Sequence, residues 1–133
     1  MGAVLMDTHT IIWYLREPER LSTAASDALA QAVQGGDPIY LASITLVEIR
    51  YLTEKGRIPD EALQRLDRAL DEVNSALQLV ALDRDVARAL SRIPRGVVPD
   101  MPDRIIAATA LHLGVPLVTH DAAIRAAPIT TIW

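Results

Sequence analysis

The sequence lacks cysteine and phenylalanine altogether, and it contains no long uninterrupted hydrophobic run. Without cysteine, the chain forms neither disulfides nor thiolate metal sites. A helix that spans a bilayer needs about 20 consecutive apolar residues, and the N-terminus lacks the basic segment of a signal peptide. We therefore expect a soluble, cytoplasmic protein without a membrane anchor.

Lysine is also scarce, since 12 of the 13 basic residues are arginine, and the formal net charge is −4. An acidic chain is not drawn to nucleic acid by its overall charge. Arginine, however, is the side chain that best fits bidentate contacts with phosphate. Acidic residues gathered in one metal site also lower the net charge without making the whole surface acidic. The composition therefore does not exclude a nucleic-acid substrate.

Hydrophobic residues make up 50% of the 133 residues, and the mean hydropathy of +0.20 is typical of a well-packed globular chain. Short apolar runs alternate with longer amphipathic stretches. The predicted strands lie at 3–6, 38–43, 77–82, 115–121 and 128–133. The predicted helices lie at 8–17, 21–36, 43–56, 59–76, 83–93, 103–114 and 121–127. This alternation predicts one α/β domain over residues 1–133, with a mainly parallel central sheet flanked by helices on both faces.

Four acidic residues lie where predicted strands end or predicted helices begin. Asp7 and Asp121 each follow an apolar strand, whereas Glu48 and Asp103 stand in the first turn of a predicted helix. Parallel α/β sheets bind ligands beyond the carboxyl ends of their strands, so all four carboxylates can face one edge. Ionised together they repel one another, and a divalent cation removes that conflict. Oxygen ligands alone favour a hard ion, Mg²⁺ or Mn²⁺, over zinc.

Each acid also has a purely structural interpretation. Thr45 and Glu48 have the spacing of a capping box, with Thr45 as the capping residue. Asp100 and Asp103 suit the N-cap and the first turn of one helix, and Asp121 can cap the helix that follows it. Asp7 is harder to explain in this way, because an acid that ends a buried strand has no evident structural task. No single acid decides between capping and metal binding, but their joint placement favours a metal site.

Two histidines and a threonine stand beside these acids. His9 and His120, next to the first and last acid, can contact a substrate or steady a carboxylate, since histidine is a common general acid or base. His112 lies inside a predicted helix and is expected to be structural. The Thr119 hydroxyl can bond a carboxylate, although threonine is also an ordinary strand former.

Four blocks of the sequence together carry a resemblance to a known family. They are DTHTIIW at 7–13, SITLVEI at 43–49, DMPDRIIAATA at 100–110 and LVTHD at 117–121. In this order they resemble the PIN-domain ribonucleases, and among these the VapC toxins of type II toxin–antitoxin systems. The similarity extends from residue 4 to residue 133, and four blocks in family order are far more specific than any one of them.

The resemblance implies a Rossmann-like PIN fold and endonucleolytic cleavage of RNA phosphodiester bonds by metal-activated water, with Mg²⁺ or Mn²⁺ as cofactor. It implies that Asp7, Glu48, Asp103 and Asp121 are the catalytic residues and metal ligands, although the fourth acid varies most within the family. Asp100 matches an acid that supports the site rather than one that ligates. The family also implies a homodimer and a cognate VapB-like antitoxin whose C-terminal segment blocks the site.

The chain departs from its relatives at one point, and its charge is unusual for an RNA-binding protein. Met101-Pro102 stands where proline followed by an aromatic residue is more usual, a difference expected to alter the loop over the site. Net acidity implies that any basic patch for RNA is local, with Arg50, Arg95 and Arg104 as its candidate members. Arg104 is also a candidate for steadying the site instead of contacting phosphate.

The sequence also has to be weighed against other functions than that of a VapC toxin. A haloacid-dehalogenase-like phosphatase requires a second acid where His9 stands. A phospho-accepting receiver domain requires a lysine near a late strand end, and Lys55, the only lysine, lies on a mid-chain helix. A PIN-domain RNA-processing nuclease outside any toxin–antitoxin pair and a catalytically degenerate PIN-like binding module both remain open.

Overall fold

Five short parallel strands form the centre of the computed structural model, which describes residues 2–133. They are β1 (Val4–Met6), β2 (Ile39–Ala42), β3 (Leu77–Val80), β4 (Leu117–Val118) and β5 (Thr131–Ile132). Their order across the sheet is β3-β2-β1-β4-β5, and every neighbouring pair is parallel. The predicted α/β fold with a parallel sheet is confirmed. The strand order reverses between β1 and β4, which is where such sheets bind ligands.

Helices connect the strands and cover both faces of the sheet. They are α1 (Thr8–Arg16), α2 (Thr23–Gln34), α3 (Ser43–Glu54), α4 (Asp60–Asp71), α5 (Arg84–Ala89), α6 (Met101–Leu113) and α7 (Ala122–Arg125). Two single 3₁₀ turns, Pro18–Arg20 and Leu90–Arg92, follow α1 and α5. Among the described residues, no helix is long and apolar enough to span a membrane.

The ends of several elements differ from the sequence-based prediction. The helix predicted at 59–76 ends at Asp71, because Glu72 adopts an extended conformation. Val73, which would have continued the apolar face, is 97% exposed. The strand predicted at 115–121 is paired only over Leu117–Val118. By contrast α6 ends as predicted on Gly114, whose φ of 67° is a left-handed conformation that glycine adopts without steric cost.

Side chains of the central strand alternate between two buried layers. Val4 and Met6 pack with residues of α1 to α4, whereas Leu5 packs with residues of α5 to α7. Because both faces are covered, the whole strand is apolar, as is usual for parallel sheets. Helix α6 is equally enclosed, since every residue from position 105 to position 110 is buried. The start of α6 is therefore held by a rigid core.

Candidate functional site

The Asp7 side chain follows β1 at the point where the strand order reverses, and it is only 4% exposed. It is the N-cap of α1, because its Oδ1 accepts a hydrogen bond from the Thr10 amide at 3.0 Å. Its Oδ2 accepts a hydrogen bond from the Thr119 hydroxyl. Asp7 thus does have a structural task, which strand-based reasoning had missed, and its carboxylate is fixed from both sides.

Thr119 links two of the acidic residues. Besides donating to Asp7, its hydroxyl oxygen accepts a hydrogen bond from the Asp121 amide at 3.0 Å. Asp121 in turn caps α7 by accepting from the Ile124 amide at 2.9 Å. The hypothesis that Thr119 bonds a carboxylate is therefore confirmed, and the helix-capping interpretation of Asp121 is confirmed as well.

Glu48 does not form the capping box that its sequence pattern predicts. Helix α3 begins at Ser43 with Ala42 as its N-cap, so that Thr45 lies inside the helix instead of capping it and Glu48 lies in the second turn. The Glu48 carboxylate instead accepts a hydrogen bond from the hydroxyl of Thr8 at the start of α1. Partial burial raises the pKa of Glu48, and the nearby Asp100 carboxylate adds to this effect. A helix-start interpretation of Glu48 is wrong.

Asp103 lies in the first turn of α6, where Asp100 caps the helix by accepting from the Asp103 amide at 3.1 Å. Partial burial raises the pKa of Asp103 to about 7, and repulsion from neighbouring carboxylates strengthens the shift. Those carboxylates belong, in order of influence, to Asp100, Asp121, Glu48 and Asp7. The protonated form is favoured because an ionised carboxylate here loses hydration and faces other negative charges.

One carboxylate oxygen from each of Glu48, Asp100 and Asp103 lies within 4.8 Å of the other two. We call these three residues the carboxylate triad. Asp100 joins it although the sequence suggested only a supporting role, whereas Asp7 and Asp121 border the triad without belonging to it. The donors are all carboxylate oxygens, which suits a hard divalent cation. A cation would also offset the repulsion that, together with burial, raises the pKa of Asp103.

Comparison with known proteins identifies the family. The sequence profile of the PIN domain matches residues 4–129. Ribonuclease VapC22 of Mycobacterium tuberculosis is 34% identical over 137 residues, with 100% of both chains covered. The chain belongs to the VapC branch of the PIN-domain family. The resemblance to the VapC toxins that the sequence indicated is thereby confirmed.

Solved VapBC structures share the fold of this PIN domain. VapBC2 from Rickettsia felis, bound to a promoter DNA fragment, gives a TM-score of 0.73 at 16% identity and covers 97% of this chain and 96% of that chain. DNA-bound VapBC from Salmonella typhimurium gives 0.71 at 21% identity, with 98% and 97% covered. At these identities the likeness is one of architecture.

An apolar groove of about 360 Å³ opens beside the carboxylate triad of this PIN domain. Its lining residues are Thr8, His9, Ile44, Val47, Glu48, Tyr51, Leu52, Lys55, Met101 and Pro102. Val47, Tyr51 and Met101 are 49%, 59% and 65% exposed despite their large apolar side chains. Exposed apolar side chains grouped in this way mark contact surfaces. Helical periodicity did not reveal the groove, because it groups residues on a face without saying whether that face is covered.

Of the two tasks expected of Arg104, steadying the site and contacting phosphate, its hydrogen bonds fit the first. Its Nε donates to the Ile93 carbonyl at 2.8 Å, and a terminal nitrogen donates to the Leu90 carbonyl at 2.9 Å. The guanidinium is thereby held on the chain segment that leads from α5 towards α6. Arg104 supports the start of α6 rather than presenting a free cation to phosphate. Arg50 and Arg95, the other two arginines considered, are exposed.

Proposed function

We propose that this PIN domain is a Mg²⁺-dependent endoribonuclease and the toxin of a type II toxin–antitoxin pair. The observation that carries the proposal is the convergence of the Glu48, Asp100 and Asp103 carboxylates beyond the strand ends. Family membership supports a nuclease, and the name of ribonuclease VapC22 supports RNA as the substrate.

The cation-binding residues of the proposal are Asp7, Glu48, Asp103 and Asp121, with Asp100 now added as a further donor. Of these, Glu48, Asp100 and Asp103 form the carboxylate triad, and Asp7 and Asp121 border it. A divalent ion bound by these residues would supply positive charge near a scissile phosphate and would lower the pKa of a bound water molecule. Mg²⁺ is the proposed physiological ion, with Mn²⁺ as a substitute of the same ligand preference.

The protein itself holds these carboxylates in place and raises the pKa of Asp103. The Thr119 hydroxyl and the Thr10 amide hold both oxygens of Asp7, while the Thr8 hydroxyl orients Glu48. Asp103, whose pKa is raised to about 7, would have to be ionised in order to hold a cation. Cation affinity should therefore weaken as the pH falls below about 7.

A VapB-like antitoxin is the proposed partner, and a homodimer is the proposed assembly. VapBC complexes from Rickettsia felis and Salmonella typhimurium share this fold, which supports pairing with an antitoxin. The groove beside the carboxylate triad gives an antitoxin segment an apolar surface adjoining Glu48. A segment bound there would block access of RNA to the carboxylates.

Cleavage of RNA by purified protein tests the enzymatic proposal. We expect cleavage with Mg²⁺ or Mn²⁺ and none with a chelator, and we expect Asp7→Asn and Asp103→Asn to abolish most of it. Asp85→Asn is the matched control, since Asp85 also lies in the first turn of a helix but is exposed on α5. Cleavage in the presence of chelator, or full activity in both site variants, would overturn the mechanism.

Expression in a bacterium without the antitoxin tests the toxin role separately. We expect growth arrest by the wild-type chain and normal growth with Asp103→Asn at equal protein level. If an active nuclease proves harmless, RNA processing outside a toxin–antitoxin pair becomes the better assignment. If no RNA is cut under any condition, the chain is a PIN-like binding module.

A further inference from the structure

The two tryptophans of the chain and two of its three histidines form one continuous group of rings. Trp13 contacts the other three rings. Its ring centroid lies 6.0 Å from that of His9, 6.2 Å from that of His120 and 5.6 Å from that of Trp133. His120 and Trp133 are 5.1 Å apart, and each of these pairs is tilted by 52° to 58°. We call these four residues the aromatic platform.

The platform is assembled from three segments that are distant in sequence. His9 and Trp13 belong to α1, His120 follows β4, and Trp133 follows β5. Both imidazoles are exposed, whereas the two indoles are half-buried, and Trp133 packs against the core. The indoles therefore anchor the group, and the imidazoles form its accessible rim.

The platform adjoins the acidic residues through the backbone. His9 follows Thr8, whose hydroxyl bonds the Glu48 carboxylate. His120 stands between Thr119 and Asp121, the pair joined by a hydrogen bond at the end of β4. His9 also lines the groove together with Thr8 and Glu48, so a ligand that rests on the His9 side of the platform lies next to the Glu48 carboxylate.

A cation also lies on the platform. The Arg20 guanidinium sits 4.6 Å from the centroid of a Trp13 ring, and it pairs with Glu17 at 3.2 Å on the exposed surface. Proteins that hold single-stranded nucleic acid combine aromatic side chains, on which bases stack, with positively charged groups such as arginine. This matters in a chain of net charge −4, which binds phosphates poorly by charge alone.

We propose that the aromatic platform stacks an unpaired nucleobase of the RNA substrate and so positions the adjoining phosphate at the carboxylates. The proposal rests on the proposed ribonuclease function and adds the group that holds the base. It makes His9 and His120 positioning residues, which act on binding more than on the chemical step. Stacking of this kind requires an unpaired base.

Tryptophan fluorescence offers a direct test, since both tryptophans lie in the platform. The full-length Asp103→Asn variant, with Mg²⁺, is titrated with a short single-stranded RNA and with an abasic strand of equal length and charge. We expect the base-bearing strand to quench the fluorescence and the abasic strand to quench it little. Equal quenching by both strands would show contact with phosphates alone and would overturn the proposal.

Substitution of the exposed imidazoles separates stacking from general binding. We expect His120→Ala and His9→Ala each to weaken binding about fivefold or more, and His120→Phe to retain most of the affinity. In an otherwise wild-type chain, His120→Ala should raise KM more than it lowers kcat. The control is His112→Ala, which changes the remaining, exposed histidine in the last turn of α6.

The outcomes distinguish this proposal from the broader function. Cleavage by wild-type protein combined with unchanged affinity in both imidazole variants overturns the platform and leaves the nuclease standing. Absence of any cleavage overturns the nuclease, while the fluorescence titration still decides whether the platform stacks a base. Unchanged RNA binding with loss of binding to a protein partner would assign the platform to that partner and overturn the proposal.

Discussion

Helices α5 and α6 begin with the same local device but in different surroundings. Asp83 caps α5 by accepting from the Val86 amide at 3.0 Å, and Asp100 caps α6 by accepting from the Asp103 amide at 3.1 Å. Each helix then carries a second aspartate in its first turn. In both cases the negative charges are favourable near the helix N-terminus. Local sequence thus gives the two pairs one common role.

The groups that face the two pairs are what differ. Asp85 is 63% exposed and lies 3.8 Å from Arg88 on its own helix. Asp103 is half-buried and faces Glu48 and Asp121, which are far away in sequence. Asp83 and Asp85 form a solvated helix start. Asp100 and Asp103 belong to a carboxylate site in which the pKa of Asp103 is about 7. The difference between the two helix starts therefore comes from the groups that the fold places opposite each of them.

The largest effect that separates the two helices should be on catalysis. We expect Asp103→Asn to lower the rate of RNA cleavage by roughly 100-fold or more, because the amide removes a charged ligand from the proposed metal site. Asp85→Asn should leave the rate within about twofold, since surface changes away from special features have small effects. Initial rates at saturating Mg²⁺ measure both. Similar losses in the two variants would erase the distinction between the helices.

The next effect is on the pH dependence of stability in the metal-free protein. Because the folded state raises the pKa of Asp103 from 3.8 to about 7, the stability that this carboxyl contributes is present below 3.8 and lost as the pH approaches 7. Above that pH, Asp103→Asn should be more stable than wild type by about 1–2 kcal/mol, a value reduced for solvent screening of a half-buried group.

Urea unfolding with a chelator at about pH 5 and about pH 8 checks this expectation. Wild type and Asp85→Asn should lose stability in parallel between the two conditions, whereas Asp103→Asn should lose less. Saturating Mg²⁺ should restore the wild-type stability at the higher pH, since a ligand that binds only the folded state stabilises it. If the free energy of unfolding changed equally with pH in wild type and in Asp103→Asn, the raised pKa of Asp103 would be contradicted.

Removal of the two N-caps should produce a smaller difference. Asp83→Ala should lower the free energy of unfolding by about 1 kcal/mol, the usual cost of a lost cap. Asp100→Ala loses the same kind of hydrogen bond but also removes a charge that repels Glu48 and Asp103. It should therefore cost less in metal-free buffer, as measured by urea unfolding. A larger cost for Asp100→Ala would mean that capping outweighs the repulsion.

The smallest effect concerns the exposed ion pair on α5. Arg88 and Asp85 are 64% and 63% exposed and 3.8 Å apart. Arg88→Ala should change the free energy of unfolding by less than about 0.5 kcal/mol, because solvent screens such pairs. Thermal unfolding at low and high salt measures the change. A loss above 1 kcal/mol would show that the surroundings of Asp85 are less solvated than its exposure indicates.

Most of the fold could be predicted from the sequence, because its cause is local periodicity. Apolar runs such as the one before Asp7 identify buried parallel strands, and Gly114 marks the end of α6. The ends of other elements could not be predicted, since pairing and exposure decide them. Val73 fits the apolar pattern of α4 but extends into solvent, and the strand before Asp121 is paired over only two residues.

The candidate site was predictable in its location but not in its contacts. Acids placed after strands and at helix starts indicated one edge of the sheet. The sequence did not reveal that Asp100 joins Glu48, or that Thr8 orients the latter, because these contacts span tens of residues. The sequence left two roles open for Arg104, and only the fold shows its hydrogen bonds to the backbone carbonyls of Leu90 and Ile93.

By itself, the sequence determined the alternation of strands and helices, the family, and an oxygen-only set of candidate ligands. Only the tertiary structure decided which helix-start aspartate stays solvated and which one faces other carboxylates. It also decided that the indoles and imidazoles of three separate segments meet beside that site. The physical reason is that backbone conformation follows from neighbours along the chain. The pKa of a carboxyl group and the contacts of an aromatic ring depend instead on burial and on groups that folding brings close.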